Sequence, residues 1–430
     1  MKQYDSYKDS GVEWIGEVPS HWEIVPLKFT GTFGNGLTYS PKDVVDNGIL
    51  VLRSSNIQNS ELSFEDNVFV SNVSKDLMVN KGDIIICSRN GSAALVGKSA
   101  FIDKDIKATF GAFMMRYIPR INKKYGFYLF QTAIGRYKGY FATTTINQLT
   151  KSTIGEMKVP MANVEEQNVI ASYLDKKCSE IDKVISAQQK RIALLQELRQ
   201  SVITHAVTKG LNPNVEMKDS GMEWIGKVPS HWNNLRLRFV CELRNGYTPS
   251  KANPDFWEDG NIPWYRMEDI RESGRKLKEA KQYITEEAVK GGGLFEAGSF
   301  ILATTATIGE HAVLIVDSLA NQQFTNLKIR KSLSQRLLGD YFFYYLYMVD
   351  DYCKATTKTS TFPAVSMELL KNCHVVFPTI KEQYKIIEYL DRKCASIDSS
   401  ISKAQHQVEL LQEYKQSLIT EVVTGKRKVC

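Results

Sequence analysis

Several stretches carry residues whose types and spacing could do chemistry. "GSAALVGKS" (Gly91–Ser99) has the glycines, lysine and hydroxyl of a loop that wraps a phosphate chain in backbone N–H groups. The gap between Gly91 and Gly97 is one residue too long for that loop, and the later copy of this stretch reads "TATIGEH". "NPDF" (Asn253–Phe256) resembles the Asn-Pro-Pro-Phe loop whose Asn holds an amino group for methylation, but Asp255 interrupts it. The glycine fingerprint that would hold a cofactor is also absent, so methyl transfer by this chain alone is not expected. His21 and His231 recur in equivalent contexts beside Pro, Ser and Trp, which suits scaffold histidines better than general bases. His205, His311, His374 and His406 have no counterpart in the other half of the chain. The 7 cysteines include no CxxC pair and no zinc-ligand spacing, so neither a disulfide frame nor a metal is expected.

The wider sequence sets where such residues would sit. The chain has 430 residues and a formal net charge of +7, enough for two or three domains with real cores and with no basic tail. "MKQYDSYKDS" at the N-terminus has no apolar core for a signal peptide, and no apolar run of about 18 residues could span a bilayer. A reduced, soluble, cytoplasmic protein is expected. "KDSGVEWIGEVPSHW" (8–22) returns as "KDSGMEWIGKVPSHW" (218–232), identical at 13 of 15 positions at an offset of 210. Residues 166–208 align with 382–424 at an offset of 216, with 23 of 43 identities. Between these shared pieces the likeness thins to marks such as Asn35-Gly36 against Asn245-Gly246 and Arg53–Ile57 against Arg266–Ile270. An internal duplication has kept its frame while the contents drifted.

The second repeated segment reads as a long helix in each copy. Leu174, Cys178, Ile181, Ile185, Gln188, Ile192, Leu195, Arg199, Val202 and Ala206 fall at spacings of four and three, a heptad seam. Leu390, Cys394, Ile397, Ile401, Ala404, Val408, Leu411, Lys415, Leu418 and Val422 repeat it. Neither segment has Gly or Pro between its ends, so each should form a helix about 60 Å long. A one-sided apolar stripe needs a partner, and the partner at hand is the other copy. "TKGLNPNVEM" (208–217) is a linker that spans at most about 36 Å, so the second half must start near the far end of the first helix. The helix pair is then antiparallel, with an approximate twofold axis. The second motif should lie beside the end of the first helix, and the first motif beside the end of the second, near Val422.

The intervening regions mix strands and loops. "ILVLRSSNI", "DIIICSRN" and "SFILATTATIG" are apolar runs bounded by turn formers. "YGFYLFQTAIGRYKGYF" and "RLLGDYFFYYLYMVDDYCK" read as helices whose aromatic faces are buried rather than offered for base stacking. Two diverged heads on a self-paired spacer suit a long, regular ligand read at two places. Duplex DNA is such a ligand, with equivalent groove faces about 34 to 36 Å apart per turn.

The order of "WIGEVPSHW", "GDIIICSRNGS", "EQNVIASYLDKKCSEID", "WIGKVPSHW", "ANQQF" and "EQYKIIEYLDRKCASID" resembles the specificity subunits of type I restriction-modification systems, often called HsdS, over nearly the whole chain. One departure is local: "VPMANVEEQ" has its Pro two places earlier than "VVFPTIKEQ". The resemblance implies an α+β chain with target recognition domains at 1–163 and 208–379, separated by coiled-coil helices at 164–207 and 380–425. It further implies a non-catalytic subunit whose two domains read the halves of an asymmetric bipartite DNA site across a fixed spacer. The implied partners are double-stranded DNA, two methylation subunits gripping the helices, and restriction subunits in the full complex. S-adenosylmethionine would be bound by the methylation subunit, not by this chain.

Major-groove edges are matched by guanidinium, amide and hydroxyl groups on loops. The expected DNA-facing residues in the first head are Arg53, Ser55, Asn56, Arg89, Asn90, Ser92, Lys98, Asn147 and Gln148. In the second they are Arg266, Thr304, Thr305, Thr307, Asn321, Gln322, Lys358, Thr359 and Thr361, with Lys138 and Lys358 better suited to phosphate than to base. Two other classes remain open at this point: a self-contained DNA-modifying enzyme, which would transfer methyl groups without partners, and a structural coiled-coil protein that binds no nucleic acid.

Overall fold

A computed structural model describes residues 3–141, 148–305, 307–357 and 364–429. The chain divides into two compact units, Met1–Gln189 with His406–Cys430, and Lys190–Gln405. Each long helix therefore gives its first part to one unit and its remainder to the other. The helices run Val164–Lys209 and Ile380–Val423 without interruption. Glu165 and Glu166 in the first turn of one, and Glu382 in that of the other, suit the positive end of the helix dipole. Each helix stops at a glycine in the left-handed region, Gly210 at φ +76° and Gly425 at φ +74°.

In the first unit the start of the first helix packs on the end of the second. Leu174, Cys178 and Ile181 share one core with Leu418 and Val422. The direction follows from two contacts. Trp22 donates its indole N–H to Glu166 (2.9 Å) and lies beside Gly425, while farther along Asp182 meets Lys415 at 2.7 Å. As one helix advances from 166 to 182 the other recedes from 425 to 415, so the pair is antiparallel. The second unit repeats this with the helices exchanged: Trp232 bonds Glu382 (3.3 Å) and lies against Gly210, and Asp398 meets Arg199 at 2.9 Å. Asp182 and Asp398 are the same repeat position, as are Lys415 and Arg199. A duplicated helix paired with its own copy in opposite sense must generate this exchange. Ala206, Leu390 and Cys394 lie in the second unit's core, and Ile397 and Ala404 are buried. Ile185, Gln188, Ile192, Leu195, Val202, Ile401, Val408 and Leu411 are half-buried.

The repeated motif closes each unit. Tyr7–Asp9 pairs antiparallel with Glu17–Pro19, and Met217–Asp219 with Lys227–Pro229. The resulting clasp seats Trp22 and Trp232, 0% and 2% exposed, where one long helix starts and the other ends. His21 Nε2 lies 3.1 Å from Glu166 and His231 Nε2 2.9 Å from Glu382, so both histidines belong to the scaffold. The neighbouring Gln167 and Gln383 are buried; they donate to the Ala162 and Pro378 carbonyls of the approach to the helix and accept from the Asn122 and Leu338 N–H groups. The shifted proline changes nothing topologically: Lys158–Met161 pairs with Glu23–Pro26 as His374–Phe377 does with Asn233–Arg236.

Two larger sheets form the body of each head. In the first unit, Ser99–Phe101, Ile84–Cys87, Met114–Pro119 and Gly31–Asn35 form an antiparallel sheet in that order. A second sheet pairs Ala108–Phe110 parallel to Ile49–Leu52, with Phe69–Val70 and Val44–Val45 beyond. In the second unit, Cys241–Asn245, Phe324–Ile329, Phe300–Ala303, His311–Leu314 and Lys276–Leu277 form the larger sheet. Leu319–Ala320 runs parallel to Ile262–Tyr265 in the smaller. The aromatic helices Lys123–Phe141 and Gly339–Thr357 bury Tyr125, Phe130, Tyr341 and Tyr345 against these sheets and the long helices. Tyr128 bonds Asp175 (2.7 Å) and Tyr344 bonds Asp391 (2.6 Å), the same tie between head and long helix in both units. Among the described residues no helix is long and apolar enough to cross a membrane, and no cluster of His, Cys, Asp or Glu could hold a metal.

Candidate nucleic-acid interface

In the first unit three turns meet at one end of the sheets. Strand Ile49–Leu52 runs into the turn Ser54–Asn56. Asn56 closes it, accepting from the Arg53 N–H (2.9 Å) and donating to the carbonyls of Ser63 and Asp66 (3.0 Å each). The second turn follows strand Ile84–Cys87. There Asn90 accepts from the Ser92 N–H (3.0 Å) and donates to Ser54 Oγ (3.3 Å), and Lys98 donates to the Ser54 carbonyl (3.3 Å). The third is Gly111–Met114, closed by the Met114 N–H bonding to Gly111 O (2.8 Å). Ser88 and Arg89 both donate backbone N–H bonds to Phe113 O, at 2.9 and 3.1 Å, and Arg89 bridges to Gln148.

Arg53, Ser55, Asn90, Ser92, Lys98, Arg89 and Gln148 are thus brought to one surface. They are not equivalent there. The Arg53 guanidinium is paired with Asp66 at 2.7 Å, and hydrogen bonds from Arg53 and Ser55 hold that carboxyl below its usual range. Arg89 is exposed, lies over the Phe113 ring (5.3 Å), and forms no ion pair with a described carboxylate. Asn56, expected to face DNA, is instead 0% exposed, and its amide is engaged inside the protein, where it shapes the turn. Asn147 lies outside the described residues, and Lys138 lies in the helix Lys123–Phe141 with its side chain outside them.

The second unit builds the same three turns from other residues. Arg266 caps the short helix Met267–Ser273, its N–H donating to Asp269 (2.6 Å) as that of Arg53 does to Asn56, while its guanidinium pairs with Glu268 at 3.0 Å. Thr304 donates its N–H to Gln323 O (2.8 Å) and Thr305 bridges to Ala364, as Ser88 and Arg89 do with Phe113 and Gln148. Gly246 comes too close to Ala320 and Asn321 carbonyls for any Cβ, as Gly36 does to those of Phe110 and Gly111. Gln322 is exposed and accepts from the Thr248 hydroxyl (2.5 Å), and Thr305 and Thr307 are half-buried. Thr304 and Asn321 are turned inward as Asn56 is. They are 8% and 9% exposed and bonded to Gln323, which leaves little surface for a base. Lys358, Thr359 and Thr361 lie outside the described residues.

Sequence reasoning missed Phe113, 59% exposed at the tip of its turn. A Phe immediately before a buried strand segment reads as core. The signal that could have found it is the frame fixed by Asn35-Gly36 and Asn245-Gly246, which aligns Phe113 with Gln323 at the offset of 210.

Residues 19–192 and 229–410 match the family model described as "Type I restriction modification DNA specificity domain". The chain is 23% identical over 432 residues to the type I restriction enzyme EcoKI specificity subunit of Escherichia coli (strain K12), covering 96% of this chain and 90% of that one. It is 42% identical over 165 residues to the type I restriction enzyme EcoprrI specificity subunit of Escherichia coli, covering 37% of this chain and 41% of the relative. A solved structure titled for "complex assembly" and "conformational transition of the type I R-M system" superposes with a TM-score of 0.69 at 14% identity, covering 94% of this chain and 98% of that one.

Proposed function

The chain belongs to the type I restriction modification DNA specificity family, as its non-catalytic DNA sequence-recognition subunit, and on that premise we propose how it reads a target. Each head reads one half of an asymmetric bipartite site in double-stranded DNA, and the paired long helices set the spacer between halves. The observation that carries this reading is one frame with unlike tips: Arg89, Phe113 and Gln148 occupy in the first head the places that Thr305, Gln323 and Ala364 occupy in the second. A frame so closely copied, with tips so different, suits two different half-sites. Within the first head, Arg89 is the base-reading cation, since a guanidinium matches the O6/N7 edge of guanine. Arg53 and Lys98, tied to the protein, position the turns and lend charge toward phosphate. Two methylation subunits would dock on this chain, bring S-adenosylmethionine and carry out adenine methylation, with restriction subunits joining in the full complex.

The test uses the chain purified with its methylation subunits and duplexes carrying the methylated site or that site altered in one half. Arg89→Ala should cost about 1–3 kcal/mol on the intact site and erase the preference for one half only. Equal loss on both halves, or an unchanged preference, would refute the assignment of Arg89.

A further inference from the structure

Phe29 and Phe239 occupy one repeat position, 210 residues apart, and both face solvent, at 66% and 58% exposure. Each sits in a single helical turn, Leu27–Phe29 or Leu237–Val240, whose leucine is fully buried. A cation precedes each, Lys28, paired with Glu156 at 2.7 Å, or Arg238, 3.6 Å from Glu368, and a second stands at the end of the adjacent strand. That second cation is Arg120, whose N–H donates to Thr30 O (2.8 Å), or Arg330, whose N–H donates to Val240 O (2.9 Å). In the second unit Arg238, Phe239, Arg330 and Lys371 line one open cleft with Glu368, and Arg330 also lies 3.7 Å from Glu242.

A lone exposed apolar side chain needs no explanation. The same ring kept in both copies, with its cations, while the strands that follow have drifted from "GTFGN" to "CELRN", does need one. The position excludes the reading face. Gly31 pairs with Pro119 and Asn35 with Met115, so Phe29 and the Phe113 turn lie at opposite ends of one strand pair, roughly 20 Å apart at ~3.4 Å per residue. Cys241 pairing with Ile329 and Asn245 with Thr325 places Phe239 likewise. A phenyl ring is also a poor match for phosphate. What both halves share, away from DNA, is a protein that binds twice.

We propose that Phe29 and Phe239, each with its two flanking cations, are equivalent docking points for two copies of one protein, the methylation subunit, through an apolar pocket rimmed by carboxylates. This rests on the proposed function. The full chain is co-purified with its methylation subunit and weighed by native mass spectrometry. The wild type carries two copies, Phe29→Ser or Phe239→Ser carries one, and the double variant binds at least tenfold more weakly at both positions. Arg120→Glu with Arg330→Glu leaves both rings in place and should show the same loss, so the prediction survives if the serine variants misfold. A double variant that holds two copies with unchanged affinity overturns the docking points. One that holds both copies yet loses DNA affinity makes the patch a nucleic-acid contact and also overturns them. A wild type that takes up no methylation subunit overturns the proposed function itself.

Discussion

At the scale of single residues, exposure separates groups free to meet a ligand from groups that serve the fold. Arg89 and Phe113 are presented at a tip, whereas Asn56 is sealed beneath one. Asn56→Ala should therefore lower stability by about 1–3 kcal/mol, because the Arg53 N–H loses its acceptor and the Ser63 carbonyl its side-chain donor, and a thermal melt would record it. Arg89→Ala should leave the melt unchanged. His311 offers a second prediction. It is fully buried, and burial first and Arg275 second push its pKa well below 6.5. The folded state thus refuses a proton that the unfolded state takes, so stability falls as pH drops below the unfolded value. At one unit below it the loss reaches up to about 1.4 kcal/mol. His311→Gln should flatten that part of a stability profile between pH 7.5 and 5.5; an identical slope in the variant would contradict the assignment.

At the scale of elements, the duplicated clasp around each tryptophan fixes where the long helices begin and end. Gly210 and Gly425 are the left-handed stops of the two helices, one residue apart in the repeat, and a Cβ on Gly425 would come within 2.3 Å of Pro19, while one on Gly210 would lie 3.2 Å from Trp232. Both alanine variants should destabilise, Gly425→Ala by the larger amount, with at least about 1 kcal/mol for each from the left-handed backbone alone. Melting temperatures in the reverse order would count against this reading of the clasp. The helices and the clasp were legible because both signals are local and written twice: a period for the seam, identity for the motif, and linker reach for the antiparallel sense. The tips were not legible to the same degree. Asn, Ser and Thr in a turn can bond the turn itself or face outward, and the choice depends on where the chain folds back. Thus Asn56, Thr304 and Asn321 read like ligand contacts and turned inward, while Phe113 read like core and turned outward.

At the scale of the whole molecule, one chain carries two copies of a reading frame whose tips have diverged. The frames share turn-closing bonds, helix ties and the buried tryptophan. The tips share almost nothing. The most direct test maps methylated adenines across the genome of a host carrying the complete system, first with the wild-type chain and then with Arg89→Ala plus Phe113→Ala. The predicted wild-type motif is two unlike specified halves around an unspecified spacer. The variant should relax or lose one half and keep both the other half and the spacer length. A single uninterrupted motif, or a variant in which both halves change together, would contradict the claim that each head reads its own half of the target.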